Sequence, residues 1–516
     1  MRHLTTPWDL PQNLLFDDFE THWIHTQLDP SALRGLNEGW QGVFRRTALK
    51  CLPAPEIAQH FSAAFGRPTK EIYSMIGLLV IMEFKQWTAD EAAEAYSLDA
   101  GVQFALNLGR DRQYVCPRTV ESYKRLLREG DDHCAEIFGT VTASLVEEFQ
   151  IDIRRQRLDS THVFSCMAQL TRGNLMAVTV KRFLTQVLRH DPAAHAALPD
   201  ELIQRYAPAE GRIFGYGQSK AGKEALVRRI QQSAEDLHFL IEHFSGNPNL
   251  NGRSTWQALI RVFQDQCELK PAQGRRGKPV ILLKEKAKDP DGKSSNVLQN
   301  PSDPEAGYDG HKGPGYQLQL AQSYGEENEV NLITACLPQS AAESDSASLI
   351  PVLESQAGHG LQPEKVLADT AYGGDENVTA CREAGIEVIS PVAGKPPAVK
   401  DAAGAECPAG NEPGNASGEA SPGLPGEAKT RKERLEQRRT EQQTEAWKKE
   451  YAKRSGQEGI NRALDRVTGI KQLVVRGKKS VTMALYLKTI GWNILKAGQT
   501  YAQRGIAARK IELQAA

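Results

Sequence analysis

The sequence lacks several features that mark whole classes of protein. It has no run of roughly 18 apolar residues that would span a membrane, and its first thirty residues contain no basic stretch followed by an apolar one. Its eight cysteines are widely spaced and none forms a CxxC pair, so we expect neither a secreted disulfide framework nor a sequence-local zinc site. We therefore expect a cytoplasmic protein with no membrane partner.

The sequence also lacks a strong charge of either sign. Its net charge is −1 over 516 residues, so the overall balance does not indicate a nucleic-acid partner. From Lys429 to Lys479, however, there are sixteen Lys or Arg and seven Asp or Glu, a local excess of nine positive charges. Such a run can follow DNA phosphates, but the alternating signs within it are equally typical of a solvated helix.

What is present is the composition of a folded chain, with 40% apolar and 25% charged residues, and a length sufficient for two or three domains. We predict a helical N-terminal domain over residues 1–150. A mixed α/β domain follows over 151–396, with a largely helical insertion at about 170–300, and residues 431–516 complete its core. Residues 397–430 are dominated by Ala, Gly, Pro, Ser and Glu, which predicts a flexible loop.

Residues 68–130 carry apolar side chains at helical spacing. Thr88 with Glu91 three residues later has the pattern of a helix N-cap, and Pro117 stands where the start of a helix tolerates proline. These short helices are compatible with a helix-turn-helix and equally with a helical bundle that packs on the rest of the chain. The sequence leaves both open.

Strand patterns begin near residue 151 and resume after the helical insertion. Apolar and polar residues interleave in RRQRLDSTHVFS, and the turn-like GEEN joins GYQLQLAQSY to NEVNLITACLP, which predicts a hairpin. Helix and strand patterns alternate beyond it. We therefore predict an α/β fold.

Two aspartates follow apolar, strand-like runs. Asp159 lies in LDS at 158–160 and Asp369 in LADTAYGG at 367–374, and side chains at strand ends can point into a crevice. Carboxylates suit Mg²⁺ or Mn²⁺, and two such ions about 3.5–4 Å apart can activate a water or a 3′-hydroxyl for phosphoryl transfer. Asp also suits turns and helix caps. Asp375, after two glycines, is the better candidate for capping, which leaves Asp369 for metal.

A site of this kind needs about three carboxylates, and a third candidate lies far along the chain. Glu458 follows the basic helix-forming segment, with Tyr451 seven residues and Arg454 four residues before it. In a continuous helix these offsets place the tyrosine and the arginine on nearly the same face as the glutamate. Single glutamates on helices are usually solvated, so this spacing is what marks Glu458.

Together these segments resemble the DDE-type transposases of bacterial insertion sequences. The resemblance rests on the blocks LDST, HKGPGYQLQL and LADTAYGG, on the pattern Y-x2-R-x3-E, and on VVRGKKSVTMALYLKTIGWNIL near the C-terminus. It implies a ribonuclease H-like catalytic core in which Asp159, Asp369 and Glu458 bind two Mg²⁺ ions, with Mn²⁺ as a substitute. The family often has Lys or Arg seven residues after the glutamate. This chain has Asp465 there, which leaves that basic contact unassigned.

The resemblance also implies partners. The N-terminal domain would bind terminal inverted repeats in DNA, and a homodimer would bring both ends of the element to target DNA. Tyr451 and Arg454 would assist beside the DNA. Lys312, in DGHKGPGY, is a further candidate DNA contact, although a polar turn before a strand explains it equally well.

The implied reaction is Mg²⁺-dependent cleavage of DNA at insertion-sequence ends, followed by strand transfer into target DNA. Two alternatives from other classes stay open. One is a ribonuclease H-like DNA nuclease that cleaves without joining, and the other is a non-catalytic DNA-binding protein derived from a transposase.

Overall fold

A computed structural model of the chain describes residues 28–61, 71–108, 114–130, 132–208, 222–270, 279–394 and 430–515. The loop predicted over 397–430 lies outside these ranges except for its last residue. The described chain is a mixed α/β structure in which helices predominate, which confirms the predicted class. None of the described helices has the length and apolar composition that a membrane span requires.

The N-terminal part is helical, as predicted for residues 68–130 wherever they are described. In chain order, helices α1 to α8 and one 3₁₀ turn are Pro30–Glu38, Trp40–Arg46, the turn Ala48–Cys51, Ala54–Ala58, Ile72–Lys85, Ala89–Leu98, Ala100–Ala105, Pro117–Glu129 and His133–Phe149. Helix α4 is apolar on all sides, and every residue from Ile72 to Phe84 is buried. A helix of this kind is enclosed by others, which is the packing of a bundle.

The start of α5 is held by Thr88 as the sequence predicts. The Thr88 hydroxyl accepts the backbone N–H of Glu91 at 3.2 Å, and the Glu91 carboxylate accepts that of Thr88 at 2.7 Å, which completes a capping box. We expect Thr88→Ala to lower the free energy of unfolding by about 1 kcal/mol, because a helix donor loses its acceptor. Urea unfolding measures the effect. Thr88→Ser keeps the hydroxyl and serves as the control, and an equal loss in both variants would contradict the capping role.

After strand β1 (Arg155–Val163) the chain enters the helical insertion, which has a buried core of its own that includes Phe183 and Leu259. Its elements, α9 to α14 followed by β2 and β3, are Arg172–His190, Pro192–Ala196, Asp200–Tyr206, Lys223–Phe244, Pro248–Asn251, Ser254–Gln266, Cys267–Lys270 and Val280–Leu283. The end of the insertion differs from the helix predicted there, because β2 pairs antiparallel with β3. This pairing overrides the helix-compatible composition of the segment.

The elements after the insertion build the central sheet and close the chain. In order, β4 to β6 are Gly307–Asp309, Gly313–Ser323 and Ile333–Ser340; then come α15 (Asp345–Ala357), β7 (Lys365–Leu367), α16 (Asp375–Glu383), β8 (Glu387–Ile389), α17 (Arg431–Glu441), α18 (Glu445–Ala452), a 3₁₀ turn (Lys453–Ser455), α19 (Gly456–Thr468) and α20 (Lys478–Ala515). Strand order is β4-β5-β1-β7-β8, with β6 paired to β5. Strands β1, β5 and β6 are antiparallel neighbours, whereas β7 and β8 run parallel to β1. The predicted hairpin is confirmed as β5 and β6.

One face of this sheet shares a hydrophobic core with the N-terminal helices. Leu318 and Leu320 of β5 belong to the same buried cluster as Phe84 of α4 and Leu485 of α20, so α20 packs into this core. The opposite face, including Leu158 of β1, is covered by α15 and α16. Helices on both sides of residue 150 therefore contribute to one continuous core.

Candidate active site

The two predicted aspartates lie side by side where β1 and β7 separate. The parallel pairing of these strands ends with Arg157 opposite Leu367, and each aspartate stands two residues beyond that pair. The prediction that Asp159 ends its strand is wrong, because β1 continues against β5 as far as Val163. Asp159 is at a strand end only with respect to β7. The register of two neighbouring strands is what brings it together with Asp369.

The carboxyl group of Asp159 has a raised pKa. Burial raises this pKa to about 6, and the nearby charges of Asp369 and Asp345 act in the same direction, against the guanidinium of Arg454 and the backbone N–H of Ser160. Carboxylates held close together repel each other, and a divalent cation between them removes that repulsion. The electrostatics at Asp159 therefore suit a cation site.

Asp369 also shapes the turn that follows β7. Its Oδ1 accepts the backbone N–H of Ala371 at 2.8 Å, and its carbonyl accepts the hydroxyl of Ser390 at 2.5 Å. The expectation that Asp375 does the capping here is wrong: it is the first residue of α16 and accepts hydrogen bonds from Arg434 at 3.1 and 2.5 Å. Asp369 therefore combines a turn contact with a second oxygen, Oδ2, that accepts no hydrogen bond from the described residues.

The charge of Arg454 interacts with both aspartates. Burial acts to lower its pKa, but the hydrogen bond from its Nε to the Tyr451 hydroxyl, at 3.3 Å, and the charges of Asp159 and Asp369 raise the pKa overall. Its Nη1 is buried and has no hydrogen-bond partner in the described part of the chain. Tyr451 stacks on Trp447 with the ring centroids 4.8 Å apart. Arg454 therefore acts on the two carboxylates through its charge, and the Tyr451 hydroxyl accepts a hydrogen bond from its Nε.

Glu458 lies on α19 but does not join the two aspartates. Its side chain is exposed, whereas Asn461, three residues on, is buried and donates through Nδ2 to Asp159 Oδ2 at 3.4 Å. The continuous helix assumed in the prediction is interrupted by the 3₁₀ turn Lys453–Ser455, which changes the angle between Arg454 and Glu458. Within the described ranges, no three His, Cys, Asp or Glu side chains form a metal-binding group. Glu458 lies three residues before Asn461, less than one helical turn from the residue that contacts Asp159.

Asp465, where the chain departs from the family pattern, holds the turn that ends α19. Its Oδ1 accepts the backbone N–H of Lys471 at 3.0 Å, and its carbonyl accepts that of Gly469 at 2.7 Å. Gly469 has the left-handed conformation typical of the residue after a helix. A basic side chain at position 465 would lack the acceptor that this turn uses.

Lys312 is remote from the aspartates. It lies in the turn before β5, eight positions from Leu320, which pairs with Asp159, and this is roughly 25 Å along an extended strand. The backbone N–H groups of Lys312 and His311 donate to Asp309 Oδ1 at 2.7 and 2.8 Å. A polar turn thus explains the local structure, and a DNA contact by Lys312 stays a prediction.

A second polar group beside Asp159 was not found from the sequence. Asp345, in the first turn of α15, accepts the Ser160 hydroxyl at 3.0 Å and Gln319 Nε2 at 2.8 Å, and the buried Tyr372 donates to Gln319 Oε1. In its own segment Asp345 is simply an acidic residue near a helix N-terminus, and Asn461 is a polar residue on an amphipathic helix. No local signal distinguishes either one.

Two arginines of α17 bind the C-terminal segment to the region that follows Asp369. Arg434 pairs with Asp375, and the buried Arg438 donates to the carbonyls of Gly373 at 2.9 Å and Ser390 at 3.1 Å. Part of the positive charge of this segment is therefore used inside the protein, a possibility that the sequence did not separate from DNA contact or solvation.

The donors at this position fit a hard divalent cation. Asp159 and Asp369 offer carboxylate oxygens on adjacent strands, and Asn461 adds an amide beside them. Mg²⁺ and Mn²⁺ prefer such ligands. Glu458, exposed on α19, is the nearest unused candidate along that helix.

Comparison with known proteins bears on this C-terminal segment. Residues 422–497 match the family model described as a transposase DDE domain. The match includes Tyr451, Arg454 and Glu458 and extends into α20, and it confirms the resemblance to DDE-type transposases. No curated protein and no solved structure matches the chain.

Proposed function

We propose, on the premise of the transposase DDE match, that this chain is a DDE transposase that cleaves DNA at insertion-sequence ends and transfers those ends into target DNA. One observation carries the proposal. The β1–β7 register sets Asp159 beside Asp369, and the charge of Arg454, which comes from the matched segment, interacts with both. Two carboxylates and a cation from distant parts of the chain thus influence one another electrostatically.

The sheet supports a ribonuclease H-like core as part of this proposal. Strands β1, β5 and β6 are antiparallel and are followed by β7 and β8, which run parallel to β1. Helix α15 precedes β7 and α16 precedes β8, and the short β4 pairs at the edge with β5. Asp159 lies on β1 and Asp369 lies just after β7. The helical insertion enters between β1 and β4. The insertion therefore extends the chain without interrupting the strand pairs that hold the aspartates.

Asp159, Asp369 and Glu458 would hold two Mg²⁺ ions, or Mn²⁺ in their place. Ions in such a site activate an attacking water or 3′-hydroxyl and stabilise the leaving oxygen. Asn461 orients the Asp159 carboxylate through its hydrogen bond, and Tyr451 orients Arg454. The exposed side chain of Glu458 is not restrained by packing, so it can turn toward the aspartates when the site is loaded.

The remaining parts of the proposal concern partners. Terminal inverted repeats would bind the N-terminal helices, target DNA would approach the carboxylates, and a homodimer in the cytoplasm would hold the two ends together. Tyr451, Arg454 and Lys312 would contact DNA. The unpaired Nη1 of Arg454 supports a substrate contact for that residue, because a buried guanidinium N–H gains most from an acceptor that arrives with the ligand.

A strand-transfer assay tests this function. The purified chain is incubated with MgCl₂, a labelled duplex carrying the genomic sequence that flanks its coding region, and a plasmid target. We expect cleaved ends and labelled plasmid, and neither in the presence of EDTA. Cleavage without labelled plasmid would favour the nuclease alternative. Binding of the duplex without cleavage in Mg²⁺ or Mn²⁺ would favour a non-catalytic DNA-binding protein.

A further inference from the structure

Arg157 points to the same face of β1 as Asp159, because residues two apart in a strand share a side. Its half-buried guanidinium binds neutral acceptors. Nη1 donates to the carbonyl of Lys453 at 3.0 Å, and Nε and Nη2 donate to Gln322 Oε1 at 3.2 and 3.0 Å. Lys453 begins the 3₁₀ turn between α18 and α19, where carbonyls at a helix end need donors from elsewhere.

Gln322 holds this guanidinium from the sheet side. It is the β5 residue directly opposite Arg157 in the antiparallel register, and its own Nε2 donates to the carbonyl of Asn331 at 3.4 Å. The planar fork of arginine allows one side chain to bind the strand residue and the turn carbonyl together, which the single ammonium of lysine does not reproduce. Arg157 therefore joins two strands to the turn.

Gly456 leaves room for Arg157 at the start of α19. A Cβ at this position would coincide with the guanidinium of Arg157. The φ of Gly456 is −60°, an ordinary helical value, so the glycine is needed for space and not for its backbone conformation. Glycine lowers helix stability, and this position therefore favours close packing over helix propensity.

We propose that Arg157 is a positioning residue: it holds the 3₁₀ turn that forms the joint between α18 and α19. It thereby keeps Asn461 hydrogen-bonded to the Asp159 carboxylate and Arg454 within reach of its charge. Lys453, whose carbonyl it binds, directly precedes Arg454. Burying a charged guanidinium among neutral groups carries a desolvation cost. The same burial lowers the pKa of Arg157. The gain that offsets this cost is the fixed position of the joint.

Amide hydrogen exchange tests the structural part of the proposal without any assumption about function. We expect Arg157→Lys and Gly456→Ala each to speed exchange in residues 453–461 by about tenfold, with no change in α9, which lies in the separate core of the insertion. Arg155→Lys, an exposed position on the same strand, is the matched control and should exchange like the unaltered chain. Unchanged exchange in 453–461, or faster exchange in α9 as well, would overturn the local role.

The catalytic part rests on the proposed function and is measured separately. At saturating flanking duplex, we expect Arg157→Lys and Gly456→Ala to lower the single-turnover cleavage rate by roughly 10–100-fold, with the Kd for that duplex within about twofold. Arg155→Lys, the exposed control position on the same strand, should retain the rate. A loss confined to DNA affinity, or an equal loss in Arg155→Lys, would overturn a positioning role. If the unaltered chain does not cleave DNA, the proposed function fails, while hydrogen exchange still decides whether Arg157 holds the joint.

Discussion

Asp159→Asn and Asp369→Asn should each reduce Mg²⁺-dependent DNA cleavage by roughly 10³-fold or more, because several kcal/mol of transition-state stabilisation depends on charged metal ligands. Asparagine keeps the shape of the side chain and removes only its charge. Single-turnover cleavage of the labelled flanking duplex measures the loss. Asp152→Asn is the matched control: Asp152 binds the exposed Arg154, and such a pair contributes little, so its rate should stay within about twofold. Full activity in either of the two site variants would remove that aspartate from the proposed site.

Asp159→Asn should also stabilise the chain at neutral pH. The pKa of Asp159 in the folded state, about 6, lies above its unfolded value of about 4. The contribution of this group to the free energy of unfolding is therefore present in full below about pH 4, and it is lost as the pH rises through about 6. Above that pH, folding has to keep a carboxylate ionised where burial and two neighbouring acids disfavour the charge.

The neutral asparagine avoids this cost, so we expect Asp159→Asn to gain about 1–3 kcal/mol of stability at pH 7–8 in the presence of EDTA. The gain should disappear at about pH 3, where the carboxyl group is protonated in both states. Thermal unfolding at the two pH values compares them. A variant that is less stable than the unaltered chain at both pH values would show that Asp159 does not carry a raised pKa.

The parts of the fold that the sequence predicts are those set by local patterns. The capping box at Thr88, the helix that begins at Pro117 and the β5–β6 hairpin each depend on residues a few positions apart, and α20 is marked by its own apolar spacing. Local rules failed where partners distant in the chain decide the structure. Segment Cys267–Lys270 is a strand only because Val280–Leu283 pairs with it.

The same distinction applies to the site. Asp159 and Asp369 could be chosen from their sequence blocks, but their proximity depends on the parallel register of β1 and β7, which neither block reveals. The offset from Arg454 to Glu458 predicts a shared face only in a continuous α-helix, and the 3₁₀ turn that begins at Lys453 interrupts that helix. Asn461 contacts Asp159, which lies 302 positions earlier in the chain, and nothing in the sequence around Asn461 indicates that contact. Sequence patterns indicate which residues can carry out the chemistry, whereas strand register and helix packing determine which residues lie beside them.

Arg454 should set the pH at which the proposed site becomes active, because its charge lowers the pKa of Asp159 against the effects of burial and of the neighbouring acids. Arg454→Gln removes the charge but keeps a donor for the Tyr451 hydroxyl. The Asp159 carboxylate must be ionised to bind a cation, so the acidic limb of the pH–rate profile should move upward, by about one unit. The rate should then fall roughly five- to tenfold at pH 5–6 and only about twofold at pH 7.

Single-turnover cleavage of the flanking duplex from pH 5 to 9 at constant ionic strength measures both effects. Arg454→Lys is the matched control: it keeps the positive charge but loses the guanidinium geometry, so its rate should fall while its acidic limb stays close to that of the unaltered chain. An acidic limb in Arg454→Gln that stays in place or moves downward would mean that Arg454 does not act on Asp159 through its charge. If the limb moves equally in both variants, the guanidinium acts by holding the geometry of the site.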